Sequence, residues 1–195
     1  MIPLRQVRAL YDDETVTVYQ AYSPQIAVPA AAAGTFVNTP FKLERMTWIK
    51  PSFLWMMYRS GWATKPGQEH VLEIRMLRTG FEHALSQSCL SHFDPTVYSD
   101  EDEWKARRDA TTVRVQWDPE RDAHHTALTH RSLQLGLAGE ATRRFAAEWV
   151  VGITDITPKV RELHRSLGHD SELAGLPAER PYPLSEVLRA TIGAS

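Results

Sequence analysis

The chain has 195 residues, 43% of them hydrophobic and 24% charged, an ordinary balance that excludes disordered and fibrous classes. Its 22 Lys and Arg against 24 Asp and Glu give a formal net charge of −2, which excludes a broadly basic nucleic-acid coat and leaves room for a local basic groove. The lone cysteine, Cys89, excludes an internal disulfide framework and a four-cysteine zinc site and points to a reducing cytoplasm. No stretch nears the ~18 apolar residues of a bilayer span, and the opening residues run straight into polar sequence, so neither membrane insertion nor secretion is expected.

The length suits a single domain over 1–195. From Glu14 to Tyr22 β-branched and aromatic residues alternate, which predicts a strand with Val16, Val18, Gln20 and Tyr22 on one face. Gln20 thus interrupts an inward-looking face. Ser23-Pro24 starts a helix that runs to Ala33 and stops at Gly34, with Pro29 inside it. Arg45–Ile49 is a short extended piece ended by Lys50-Pro51, because the residue before proline is pushed out of helical space. Ser52 then caps a short buried helix over Phe53–Arg59, closed by Ser60-Gly61.

After a Lys65-Pro66-Gly67 turn, His70–Leu77 alternates as a strand, and Phe81–Leu90 predicts a helix with Cys89 on its apolar face. Asp100–Asp109 is a charged connection or helix start. Thr112–Asp118 is a strand ended by Asp118-Pro119. A polar loop over Glu120–His130, a helix over Ser132–Ala147, a strand over Trp149–Ile156 and two short helices complete the expectation. Strands and helices intersperse too irregularly for repeated parallel crossovers, so the expected fold is α+β with a split mixed or antiparallel sheet flanked by short helices.

The common phosphate-loop, dinucleotide, nucleophile-elbow and zincin motifs are absent. His124, His125 and His130 are the tightest histidine group, but adjacent side chains point apart and no carboxylate or thiolate is spaced to join them, so no metal site is expected. The segment Arg45–Trp62 packs three of the six tryptophans, three methionines and three cations into eighteen positions. Most of this is expected to be core, with Trp48 and Trp55 mainly structural. Aromatic walls edged by cations also suit a planar ring bearing phosphates, so Arg45, Lys50, Ser52, Tyr58 and Arg59 are candidate contacts of a nucleotide. Glu148, at the head of an apolar strand, is a candidate partly desolvated carboxylate.

Arg5-Gln6-Val7-Arg8, Tyr19-Gln20-Ala21-Tyr22-Ser23-Pro24, Arg45–Trp62, Ser91-His92-Phe93-Asp94 and Gln116-Trp117-Asp118-Pro119-Glu120-Arg121-Asp122 together resemble the family called domain of unknown function 4291, a name that brings no function. A more distant resemblance is to the ADP-ribosyltransferase superfamily, notably poly(ADP-ribose) polymerases and tRNA 2′-phosphotransferases. It rests on Tyr19-Gln20-Ala21-Tyr22 before a helix that stops at Gly34-Thr35-Phe36, on Lys50-Pro51-Ser52 through Tyr58, and on Glu148-Trp149-Val150-Val151. That resemblance implies an enzyme that binds NAD, cleaves its nicotinamide–ribose bond and passes ADP-ribose to an acceptor such as nucleic acid. It implies that Gln20 and Ser52 hold ribose or carboxamide, that Tyr22 or Tyr58 stacks on nicotinamide, and that Glu148 stabilises the developing oxocarbenium charge in the same cleft. The sequence departs from the superfamily at Gln20, where a histidine or arginine is usual. Two alternatives follow: a 2′-phosphotransferase-like enzyme with Arg5, Arg8, Arg45, Lys50 and Arg59 on RNA phosphates, and a non-catalytic module that binds a nucleotide or a nucleic-acid end.

Overall fold

A computed structural model describes residues 2–167 and 175–195 and has an α+β architecture. The expected strand before Ser23 is β2 (Thr15–Tyr22), which pairs antiparallel along its whole length with β4 (His70–Leu77). Val18 stands opposite Ile74 and Gln20 opposite Leu72. On the far side of β4 lies β8 (Val150–Asp155), also antiparallel, completing a three-stranded sheet. A second, four-stranded sheet has the order β3 (Thr47–Ile49), β7 (Ala127–Leu137), β6 (Val113–Arg121), β5 (Cys89–Leu90), antiparallel except for the parallel β5–β6 pair. A two-stranded clasp joins β1 (Arg8–Ala9) to β9 (Arg180–Pro181).

The two larger sheets share one core. Val16, Val18, Leu72, Ile74 and Met76 from the first pack with Val113, Val115, Leu133, Leu135 and Leu137 from the second, all nearly or fully inaccessible to solvent. Helix α1 (Pro24–Ala33) packs against all three strands of the first sheet and buries its small Ala27 and Ala30. It starts with Pro24 in its first turn and ends in left-handed backbone at Gly34, as the sequence predicts. Helix α2 (Phe53–Ser60) is capped by Ser52, whose hydroxyl accepts from Trp55 N at 3.1 Å, and closes at Gly61 with φ +60. Its Phe53, Met56 and Met57 form a smaller cluster with Tyr19, Trp62, Val71 and residues of α6 (Thr157–Ser166).

Two expectations are corrected and one alternative is decided. The helix over Phe81–Leu90 is instead α3 (Arg78–Ser86), and Cys89 and Leu90 form β5, where Cys89 is fully buried beside Arg114 and Val115 of the neighbouring strand. Of the two readings of the charged Asp100 segment, the helix start holds: it is α4 (Glu101–Ala110), with Asp100 accepting from Glu103 N at 2.8 Å. The expected loop over 120–130 holds the end of β6, a turn and the start of β7, and the first part of the expected helix over 132–147 is strand as far as Leu137. Here β6 runs past Pro119, with a shift of register between Pro119 and Arg121, and returns as β7. Helix begins only at α5 (Glu140–Arg144), which continues into a π-helical turn over Phe145–Trp149. The last helix is α7 (Glu186–Ile192).

The split between the sheets positions the site. Tyr19 of β2 and Lys50 exchange backbone hydrogen bonds, Tyr19 N to Lys50 O at 2.7 Å and Lys50 N to Tyr19 O at 3.3 Å, so the edges of the two sheets touch at this bridge. Beyond it no ladder joins β2 to β3, and a cleft opens between them.

Candidate functional site

Gln20 and Tyr22 continue the face that Val16 and Val18 turn to the core, but they run beyond it to the mouth of the split. Gln20 is 3% exposed, and its amide nitrogen donates to Thr47 Oγ1 and, at 3.3 Å, to Trp48 O. The Tyr22 hydroxyl is 3.0 Å from the same threonine oxygen. Burial raises the tyrosine above its ordinary pKa, so it stays a neutral hydroxyl. Side chains rather than backbone thus bridge the parting edges. The Gln20 carbonyl oxygen has no hydrogen-bond partner among the described residues, an acceptor that a ligand N–H or O–H would complete.

The cleft has a volume of about 820 Å³, ample for a nucleotide. Its cationic side chains are Lys42, Arg45, Lys50 and Arg59, and no Asp or Glu among the described residues lines it. Lys42, Arg45 and Arg59 are exposed at the rim, whereas Lys50 is 6% exposed. The Lys50 amine donates to Trp48 O at 2.7 Å. Burial, with the Arg59 guanidinium adding to it, brings its ammonium down to about 7 against an opposing pull from Asp118. Gln116 and Gln134 stand opposite each other on β6 and β7, and Asp118 accepts from both amides, from Gln116 at 3.0 Å. A smaller cavity of about 190 Å³ lies beyond Gln116, which lines both, and holds Arg5 and Arg131.

Of the residues singled out from the sequence, Gln20, Tyr22, Arg45, Lys50 and Arg59 line the cleft and Ser52, Tyr58 and Glu148 do not. Ser52 is spent as the cap of α2. Tyr58 lies under the Arg121 guanidinium, 4.0 Å from its ring centroid, and edge-on to His125. Glu148 lies at the other end of the three-stranded sheet. Gln20 is level with Leu72 and Asp155, whereas Val150, two residues after Glu148, is level with Met76. Those rows are four residues apart on β2 and β4, roughly 13 Å at ~3.3 Å per residue, and β8 carries one extra residue at its register shift. Glu148 is exposed there and accepts from Arg144 at 3.0 Å. The expectation that Gln20, Tyr58 and Glu148 share one cleft is therefore corrected: Glu148 belongs to the π-helical turn that precedes β8, at one end of the sheet, and the split is at the other.

Arg5 and Arg8 are likewise outside the main cleft. Arg5 pairs with Asp94 at 2.5 Å beside the smaller cavity, and Arg8 donates to Gln6 and to the backbone of Glu179. Trp55 is core, as expected, but Trp48 is half-buried and forms a wall of the cleft, lying over Gly136, where an added Cβ would sit 3.0 Å from its ring.

Sequence reasoning missed Lys42, Thr47, Gln116 and Gln134. The signal for the two glutamines was present as polar residues alternating with Val115, Trp117, Leu133 and Leu135, and it was hidden for Gln134 by reading its segment as helix. Among the described residues no three His, Cys, Asp or Glu gather to hold a metal ion, and no helix is long and apolar enough to cross a membrane. No curated protein and no solved structure matches the chain. The family model described as domain of unknown function 4291 (DUF4291) matches residues 6–182, and with nearly the whole chain inside that match, the split sheets and their cationic cleft included, the protein is a member of the DUF4291 family.

Proposed function

We propose that the cleft between the two sheets binds a phosphorylated nucleotide, with NAD the ligand that the superfamily resemblance places first. The observation that carries the proposal is the wall itself: three cations at the rim, Lys50 at the floor and no described carboxylate around about 820 Å³, in a chain whose net charge is −2. Such segregation of charge is a field built for an anion. The guanidinium groups of Arg45 and Arg59 suit phosphate oxygens, Trp48 offers an aromatic wall, and the free carbonyl of Gln20 asks for a donor such as a carboxamide or an exocyclic amine. Cleavage of the nicotinamide–ribose bond would need a carboxylate beside the ribose. Glu148 stands at the wrong end of the sheet for that, so the reading is one of binding, with nicotinamide release measured alongside it.

Titration calorimetry with NAD, ADP-ribose and ATP tests the proposal. Micromolar binding that weakens as salt rises is expected, and Arg59→Glu should weaken it by about tenfold or more by placing a like charge at the phosphates. Absence of binding by all three ligands at low salt would refute it. Glu148→Gln should leave nucleotide affinity unchanged and stability within about 0.5 kcal/mol, since it removes one exposed ion pair with Arg144. A loss of binding or of nicotinamide release in that variant would restore Glu148 to the site.

The smaller cavity favours a second reading. Gln116 lines both cavities, and Arg131 adds a cation beside the Arg5–Asp94 pair, so a nucleic-acid end could lie across them. An RNA affinity that exceeds mononucleotide affinity and falls steeply with salt would decide for this reading.

A further inference from the structure

The cleft contains a group that phosphate binding does not require. Lys50 is the cation at its buried floor, and no ion pair of Lys50 occurs among the described residues. An ammonium has three N–H bonds to satisfy, whereas the hydrogen-bond partner of the Lys50 amine is one oxygen, Trp48 O. A neutral amine suits this place better, because it donates one bond to that oxygen and keeps a lone pair for the cleft. Its backbone is fixed on both sides by Tyr19, so the amine is carried on the rigid bridge between the sheets. The other lysines differ. Lys105 is held by Glu101 and Asp102, Lys65 donates to the carbonyls of Tyr58 and Arg59, and Lys42 and Lys159 are exposed.

We infer that Lys50 is a nucleophile, and that it forms an imine with the aldehyde carbon of a phosphorylated sugar whose phosphate is held by Arg45 and Arg59. This rests on the nucleotide-binding reading, and it narrows the ligand to one with an open-chain sugar carbonyl, of which ADP-ribose is an accessible probe. The step balances without any added oxidant or reductant. The amine lone pair forms a C–N bond as the C=O π pair moves to oxygen, which takes a proton to give a carbinolamine. The nitrogen lone pair then expels that oxygen as water, the second N–H proton is lost, and the net change is amine plus aldehyde to imine plus water. The charged groups that act on the amine are Arg59 and Asp118, its nitrogen lies 5.7 Å from the centroid of the Trp55 ring, and Arg45 and Lys42 line the same cleft. Burial is the largest influence toward the neutral form, Arg59 adds to it and Asp118 opposes it.

The test is to incubate the full chain with ADP-ribose and cyanoborohydride, which reduces the imine to a stable secondary amine, and to map the adduct by peptide mass spectrometry. At pH 7 Lys50 should be labelled at least about tenfold faster than Lys65, Lys105 or Lys159, since half of a group with pKa about 7 is neutral there and almost none of an ordinary lysine is. Labelling should rise through pH 7 and level off well below pH 10, and excess ATP should suppress it. Lys50→Met, checked by thermal melting to be folded, should lose the fast adduct. Equal labelling of Lys50 and the exposed lysines would overturn the inference, as would no adduct at Lys50. Calorimetry on the same sample separates the two claims: ATP binding without an adduct leaves the nucleotide reading standing and removes the nucleophile. Neither binding nor adduct removes both.

Discussion

Lys50→Met is expected to raise the stability of the protein at pH 6 by about 1–4 kcal/mol, the range found when buried ion pairs give way to apolar side chains of similar size, here for an ammonium with no ion-pair partner among the described residues to offset its desolvation. Lys50 is buried with no carboxylate in ion-pair contact among the described residues, and its ordinary value of 10.5 is brought down to about 7, chiefly by burial. Between those two values the unfolded chain binds a proton that the native chain does not, so stability rises with pH across the window from about 7 to 10.5. Below pH 7 the native state carries the charge and its full desolvation penalty. Methionine keeps the length and flexibility of the stem, packs beside Trp55 and carries no charge to desolvate. Denaturant unfolding of wild type and variant from pH 6 to 10.5 checks the claim. The gain should be largest at low pH and should shrink as pH rises, and a gain independent of pH would mean that packing, not the ammonium, explains it. A residue that costs stability at the floor of a cleft is what a working site looks like, because a chain selected for stability alone would not keep it.

How far the sequence discloses this site depends on what each signal rests on. The strands β2 and β4 were legible because period-two alternation there agrees with burial on one face, and the caps of α1 and α2 were legible because Ser-Pro, Ser52 and the two closing glycines act through local backbone geometry. Gln20 stood out for the same reason, as a polar break in an apolar face. The segment that became β7 was not legible. Leu133, Leu135 and Leu137 alternate, but the Ala, Glu and Arg that follow are strong helix formers and draw the reading backwards across Gly136 and Gly139. Pairing with β6 on one side and β3 on the other outweighs that local preference. Which end of a sheet a residue occupies was also not legible, because it depends on register between strands far apart in sequence. Glu148 stands not at a strand head but within the π-helical turn before β8, exposed and paired with Arg144, at the end of the sheet away from Gln20.

The Glu148-Trp149 pair carries its structural weight in the tryptophan, and Gly80→Ala is expected to expose that. An added Cβ at Gly80 would lie 2.4 Å from Trp149 Cγ and 2.7 Å from its Cδ1, closer than real side chains approach. Trp149 is 4% exposed, at the end of the π-helical turn, where Arg144 lies over its ring at 5.1 Å and His83 meets it at 5.9 Å. It has no room to retreat, so even a methyl group must shift the indole or the backbone of α3. Overpacking of this kind costs about 1–3 kcal/mol and occasionally more, and the ~0.5–1 kcal/mol that alanine gains over glycine inside a helix does not offset a contact this short. We expect a net loss of about 2 kcal/mol or more, which for a chain of this length lowers Tm by roughly 4–8 °C. The decisive comparison is a double-mutant cycle. Trp149→Ala alone should cost about 3–5 kcal/mol, but in that background Gly80→Ala should cost nothing further and should recover the helix preference, because the atoms it would strike are gone. Additive losses would show that the two residues do not meet, and with that the reason for the glycine in α3 would fall away.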